Sequence, residues 1–407
     1  MSVHMPVAFG VVGLGGFGAS VRGALQQLQA KPSPLVKLVA ACDPAQELHA
    51  ETIATLRADG VTVVDELKKL LALPIQALWL PVPIHLHRPF AEQALAAGKW
   101  VISEKPASGT IQDIDAMIAA RDRYHGKVAI AFQDIHERST PKIKQRILDG
   151  ALGRITYVSV SQCSPRPKSY YDRNNWGGRL RIGETWILDS PCTNAMAHSI
   201  NLALFLAGAE MNRSAKLVSV DAELYRSRDI PSADTTCIRV QLEGGSKALI
   251  LMTHACATNT GPFVVLRGEK GELHMSREAA EFRYRDGSTE TIARAIETAR
   301  TAEVAIERWT GRNTSVPLAE LEVAREQTLS VNGAFDATPI RTISKEFIKI
   351  RDEAKDPQPY VPDIESVFEE CVRRGVLPNE SGLAPWSSPA GSLSLQDYRT
   401  FAGRHCG

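Results

Sequence analysis

The sequence predicts an α/β protein: an N-terminal doubly wound parallel sheet, then an α+β domain with an open, largely antiparallel sheet. Three observations predict it. Short apolar strand patterns alternate with helical ones up to about residue 132, as βαβ units do. The first strand pattern ends in a glycine-rich loop. From about residue 215, strand patterns follow one another directly through glycine-containing turns.

Residues 7–13 read as a buried strand ending on glycine, followed by a helix from about Phe17 to Ala30. Residues 36–42 form the next strand and stop at Asp43-Pro44. A helix over 45–58, a short strand at 61–64 and a helix over 66–72 follow, the last with Asp65 as its cap. Ala77-Leu78-Trp79-Leu80 is a strand closed by Pro81-Val82-Pro83, and 86–97 is helical. Trp100-Val101-Ile102-Ser103 is a strand closed by Glu104-Lys105-Pro106; a helix over 110–123 leads to a strand over 127–132. Right-handed crossovers then make one parallel sheet, and ligands are expected beyond the carboxyl ends of its strands.

A helix over 139–150 and a strand over 154–162 open the second part. An irregular stretch, 163–187, precedes an apolar helix over 193–207. Strand patterns recur at 215–228, 234–243, 246–256, 262–268, 271–276 and 280–286; residues 289–352 read as mostly helical. The expected division is 1–136, a dinucleotide-binding domain; 137–352, a substrate and oligomerisation domain; and 353–407, a tail with one helix near 363–374.

The chain has 407 residues and a formal net charge of +1, so no strong field points to nucleic acid or a membrane surface. No run of apolar residues is long enough to span a membrane. The N-terminus enters a strand pattern without a basic leader, so no signal peptide is expected. The seven cysteines are scattered and form no CxxC pair, which argues against a zinc site and for reduced thiols in the cytoplasm.

Gly13, Gly15 and Gly18 form G-x-G-x-x-G between a strand and a helix, the context that a pyrophosphate-binding loop requires. Gly13 permits the tight turn, Gly15 the approach of a pyrophosphate and Gly18 close helix–strand packing, with Gly16 and Phe17 completing the loop. The helix N-terminus supplies amide donors. Asp43 ends the next strand, where a carboxylate holds the ribose diol and repels a 2′-phosphate. NAD is therefore expected, and NADP is disfavoured. This is the pattern of a Rossmann domain.

The glycine loop, Pro81 to His85, and above all the run from Ala97-Gly98-Lys99-Trp100 to Glu104-Lys105-Pro106 resemble the Gfo/Idh/MocA oxidoreductases, the glucose–fructose oxidoreductase and inositol dehydrogenase family. The resemblance covers about Val7 to Gly268 and, more loosely, the rest. It implies a Rossmann domain, a C-terminal domain with an open sheet, and nicotinamide-dependent redox chemistry on sugars, polyols or cyclitols. It also implies a homodimer or homotetramer.

Lys105 follows a buried strand at the ligand edge of the sheet. From there an ammonium can bond a substrate hydroxyl and stabilise a developing alkoxide. Pro106 fixes the backbone beside it, and Glu104 holds the lysine or shapes the nicotinamide end. Pro81 and His85 lie on a loop expected to touch the cofactor; His85 and His87 read equally as polar residues at a helix start. Gln133 reads either as a residue reaching the nicotinamide or as a solvated loop amide.

On a regular helix over 193–207, Asn194, His198 and Asn201 share one face of an otherwise apolar rod. The family's histidine helix carries acids where this chain has Asn194 and Asn201, and glycine where it has Met196. The resemblance makes His198 the acid/base group. Without a flanking carboxylate it is expected to be more neutral, still able to accept a hydroxyl proton. No His, Asp or Glu stands at i+3 or i+4 from His198, so no metal is expected. In the irregular stretch, Tyr171, Arg173, Asn175, Trp176 and Arg179 are candidates for sugar binding, the arginines also suiting an acidic sugar or phosphate. The same segment reads equally as a loop docking onto a partner subunit.

The function expected is hydride transfer between NAD and a secondary alcohol of a carbohydrate-like substrate. Lys105 would polarise the oxygen and His198 carry the proton. Two other readings are a redox-neutral NAD-dependent glycoside-cleaving enzyme or lyase, and a non-catalytic NAD or sugar sensor.

Overall fold

The computed structural model describes residues 5–352 and 354–406. The chain forms two compact units that interleave along the sequence. One runs to Ser108 and takes in Asp113–Glu137 and Ile296–Ala324; the other comprises Gly109–Gln112, Arg138–Ala295 and the chain from Arg325 onward. The continuous division expected from the sequence, 1–136, 137–352 and 353–407, differs from this interleaving.

The first unit holds six parallel strands: β1 (Val7–Val12), β2 (Val36–Cys42), β3 (Thr62–Val64), β4 (Ala77–Leu80), β5 (Trp100–Ser103) and β6 (Val128–Ile130). Their order, β3-β2-β1-β4-β5-β6, reverses direction beside β1, the switch point where such sheets bind ligands. Strand β4 is buried at every position, as a parallel strand covered on both faces must be. The expected helix over 45–58 is instead a 3₁₀ turn, Gln46–His49, followed by a helix at Ala50–Ala58. The helix Thr298–Trp309 is far in sequence yet belongs to this unit. Its Ala299, Ala302, Val304 and Ile306 enter the same core as Val21, Leu25 and Leu28 of the helix Gly18–Gln29.

The second unit is built on ten strands: β7 (Ile155–Cys163), β8 (Leu217–Arg226), β9 (Thr235–Leu242), β10 (Lys247–Thr253), β11 (Thr260–Gly268), β12 (Gly271–Met275), β13 (Ala279–Tyr284), β14 (Thr289–Ala293), β15 (Ile340–Thr342) and β16 (Gly391–Ser394). They run β14-β13-β12-β11-β7-β10-β9-β8-β15, with β16 paired to β8. Only β7 with β10 and β8 with β15 pair parallel. Strand β14 corrects the expectation that 289–352 is mostly helical: Ala279 to Arg283 pair with Ala293 to Thr289 across a hairpin.

The tail covers part of this sheet. Ile364, Val367, Phe368 and Cys371, on the helix Ile364–Arg374, pack with Leu249, Leu251, Cys237 and Cys163 in one buried cluster. The helix Ala197–Ala207 packs on β7 and β11. Its C-terminal end is closed by Lys144, whose buried ammonium donates to the carbonyls of Phe205, Leu206 and Gly208. Among the described residues no helix is long and apolar enough to cross a membrane.

Candidate functional site

In the first unit the glycine loop is fixed by close backbone packing. Gly13 has φ +101°, and a Cβ there would stand 2.7 Å from the Pro81 carbonyl oxygen. A Cβ on Gly18 would meet the Gly13 carbonyl oxygen at 2.3 Å. Neither position accepts a side chain, so the loop backbone is exposed to a ligand at the head of the helix Gly18–Gln29. Phe17 precedes that helix and is 44% exposed.

Asp43 is 7% exposed and turns its carboxylate toward the loop. Its Oδ2 accepts the Leu14 N–H at 2.7 Å and its Oδ1 the Ala45 N–H at 2.9 Å. Each oxygen keeps a lone pair, the acceptor capacity that a ribose diol requires. Two neighbours escaped the sequence reading. His49 stands with Nε2 3.7 Å from Asp43 Oδ2, and a Cβ on Gly15 would be 3.2 Å from its ring. Arg22 donates to the Leu14 carbonyl at 2.6 Å, and burial lowers its pKa against the pull of Asp43. A histidine in a 3₁₀ turn and an arginine on a polar helix face carry no local signal of this role.

At the other end of the sheet, β5 delivers Glu104 and Lys105. Glu104 is 7% exposed; Trp79 Nε1 donates to its Oε1 at 3.1 Å, and the Lys105 N–H to its Oε2 at 3.3 Å. Burial raises its pKa to about 7, against the opposing pull of Lys105 and Trp79. Lys105 is half-buried, and the peptide bond to Pro106 is cis.

The histidine that frames this segment is His87. It is buried, with Nδ1 2.8 Å from the Pro106 carbonyl oxygen and Nε2 2.8 Å from that of Val82. Burial pushes its pKa below the ordinary value, while those carbonyls pull it up. His85 is half-buried, and its buried Nδ1 has no hydrogen-bond partner in the protein. Such an orphaned atom beside the glycine loop's neighbour Pro81 suits a bound cofactor. Gln133 lies in a short helix and donates to Thr298 Oγ1 at 3.3 Å. The glycine cradle, Asp43 and the orphaned His85 nitrogen together fit a dinucleotide.

In the second unit the histidine helix is not regular. Pro191–Ala195 forms a single π turn, and the α-helix begins only at Ala197 after a break at Met196. Asn194, Ala195, His198 and Ala207 are its half-buried positions, whereas Asn201 is fully buried. His198 and Asn201, three residues apart on the regular helix, still share a face, but Asn201 is covered by packing. The π turn instead shifts Asn194 relative to His198, away from the register that a 3.6-residue repeat assumes.

A carboxylate does stand at the head of this helix. Asp189 accepts the Asn194 amide at 3.1 Å and the Gly178 N–H at 2.7 Å. Asp189 lies before the predicted helix over 193–207, so helical spacing alone does not group it with Asn194.

The structure separates the other candidates of the irregular stretch. Tyr171 is buried, its hydroxyl 2.8 Å from His254 Nδ1. Arg173 is exposed and lies over the ring of Trp176 at 5.3 Å. Asn175 and Arg179 are exposed, and the Arg179 N–H bonds the Trp176 carbonyl. Among the described residues no three His, Cys, Asp or Glu side chains gather as for a metal ion.

Comparison with known proteins agrees with this architecture. The first unit has the features of an NAD-binding Rossmann domain. Residues 7–132 match the oxidoreductase family with an NAD-binding Rossmann fold, and residues 140–274 match the GFO/IDH/MocA C-terminal domain. The chain belongs to the Gfo/Idh/MocA oxidoreductase family.

Among curated relatives, the dTDP-3,4-didehydro-2,6-dideoxy-alpha-D-glucose 3-reductase of Streptomyces antibioticus is 29% identical over 50% of this chain and 60% of its own length. The inositol 2-dehydrogenase of Serratia proteamaculans is 24% identical over 50% of this chain and 55% of its own. The chain thus spans less than two thirds of these relatives. Among solved structures, the WlbA dehydrogenase of Bordetella pertussis, in complex with NADH and UDP-GlcNAcA, superposes with a TM-score of 0.66 at 22% identity. That match covers 81% of this chain and 96% of the other. A levoglucosan dehydrogenase in complex with NADH gives a TM-score of 0.66 at 18% identity, covering 81% and 97%. At these identities the structures establish the shared fold.

Proposed function

We propose that the protein is an NAD-dependent oxidoreductase that moves a hydride between the cofactor and a secondary alcohol of a sugar, polyol or cyclitol. The observation that carries the reading is the frame around Lys105. A buried glutamate held by Trp79 and a buried histidine bonded to Val82 and Pro106 fix the segment at the end of β5. The names of the relatives, which include a sugar reductase, an inositol dehydrogenase and a levoglucosan dehydrogenase, support the substrate class.

The glycine loop and Asp43 would hold the dinucleotide, and bound NAD supplies the hydride acceptor. The Lys105 ammonium lies against the substrate hydroxyl and lowers its pKa by favouring the alkoxide that develops. His198 accepts the hydroxyl proton in oxidation and returns it in reduction. Asp189 holds Asn194 and so sets the first turn from which His198 projects. A homodimer or homotetramer remains part of the proposal. No observation favours the glycoside-cleaving or sensor readings.

The test is turnover of the full chain with NAD against a panel of sugars, uronic acids and cyclitols. NADH formed in equal amount to oxidised product supports the reading. Product formed without net NADH contradicts it.

A further inference from the structure

Arg166 and Arg173 both stack on the ring of Tyr170, their guanidinium carbons 4.7 Å and 3.6 Å from its centroid. Neither forms an ion pair with a carboxylate among the described residues. The acids nearby have other partners: Asp234 takes the Arg228 guanidinium at 2.9 Å and the Ser227 hydroxyl at 2.6 Å, and Asp189 takes Gly178 and Asn194. Two like charges held on one ring repel each other; Asp189 acts on the same ring from a distance but forms no ion pair with either guanidinium.

His254 stands beside the same ring, its centroid 5.4 Å from that of Tyr170. It is 2% exposed and lends Nδ1 to Tyr171, and its Nε2 has no hydrogen-bond partner. Burial holds its pKa far below the ordinary value, and Arg166, Arg228 and Arg173 push it further down. With the Tyr171 hydroxyl donating to Nδ1, the neutral ring presents Nε2–H as a donor. The buried Nε of Arg166 is likewise without a partner. The cluster therefore combines two guanidiniums that lack an ion-pair partner among the described residues with two idle buried donors.

We propose that Arg166, Arg173 and His254 form an oxyanion subsite that receives the carboxylate or phosphate of an acidic sugar substrate. Planar guanidiniums suit both groups, through paired N–H donors. Asp189 links this segment to the histidine helix, because it bonds both Gly178 and Asn194. The subsite rests on the oxidoreductase reading only for the idea that its ligand is the substrate; oxyanion binding itself requires no turnover.

The test is calorimetric binding of glucuronate, glucose 1-phosphate and glucose to the full chain saturated with NADH, for the wild type, Arg173→Gln and Arg166→Gln. One charged ligand is expected to bind tighter than glucose, glucuronate marking a carboxylate site and glucose 1-phosphate a phosphate site. Each variant should weaken it by about tenfold or more, with NADH affinity retained. Arg173 is exposed, so its variant serves if Arg166→Gln fails to fold. Charged ligands binding no better than glucose, or equally well to a folded variant, would overturn the subsite. Binding as expected without redox turnover of any sugar would keep the subsite and overturn the oxidoreductase reading.

Discussion

The imidazole of His87 binds the Pro106 carbonyl through Nδ1 at 2.8 Å and the Val82 carbonyl through Nε2 at the same distance. One buried ring thereby ties the loop after β4 to the segment that carries Lys105. Satisfying both carbonyls takes two N–H donors, which only the protonated ring has, while burial favours the neutral form.

His87→Ala removes the ring and leaves both carbonyls without their partner. The variant is expected to lose about 2 kcal/mol of stability. Turnover should fall more than NADH affinity, because Lys105 loses its frame while the glycine loop does not. Denaturation and NADH titration measure both; unchanged stability and turnover would remove His87 from the role.

Glu104 makes the site sensitive to pH. Its pKa of about 7 lies above the ordinary carboxylate value of 4.5. Between those values the folded chain keeps a proton that the unfolded chain has released, so this group's contribution to stability falls as pH rises through that window. Glu104→Gln removes the dependence. The melting temperature of the variant relative to wild type should therefore rise between about pH 5 and about pH 8. A constant difference would mean that Glu104 titrates at its ordinary value.

Asp43→Ala removes the acceptor of the Leu14 N–H as well as the diol partner. NADH affinity is expected to drop about tenfold or more, while NADPH affinity holds or improves because the repelling charge is gone. Fluorescence titration with both cofactors decides it; parallel losses would show that Asp43 only braces the loop.

Lys144→Met leaves three carbonyls at the end of the helix Ala197–Ala207 without their donor. A loss of roughly 2–4 kcal/mol in stability is expected, read from denaturant unfolding. A variant as stable as wild type would mean that water replaces the ammonium.

Much of this was legible in the sequence. Strand, glycine loop, helix and Asp43 are local signals set by backbone geometry, and the run ending in Glu104-Lys105-Pro106 lies in one stretch of chain. Contacts between distant stretches were not legible. Nothing near Thr298 says that its helix packs on Leu25, because amphipathicity names a buried face and not its partner. The π turn at Pro191–Ala195 broke the periodicity that grouped Asn194 with His198. Of His85 and His87, two residues apart, only burial distinguishes the ring that bridges two carbonyls. Asp189 reaches Asn194 through a turn that a helical spacing argument does not contain.

In the proposed mechanism Lys105 touches the reacting oxygen. The most direct measurement of that contact is the steady-state rate of NADH formation by Lys105→Ala and wild type on the same substrate, beside the NADH dissociation constant of each. In Lys105→Ala kcat is expected to fall by about a hundredfold or more while the dissociation constant stays within about twofold of wild type. Equal kcat in the two proteins, or a loss fully explained by weaker NADH binding, would contradict the mechanism.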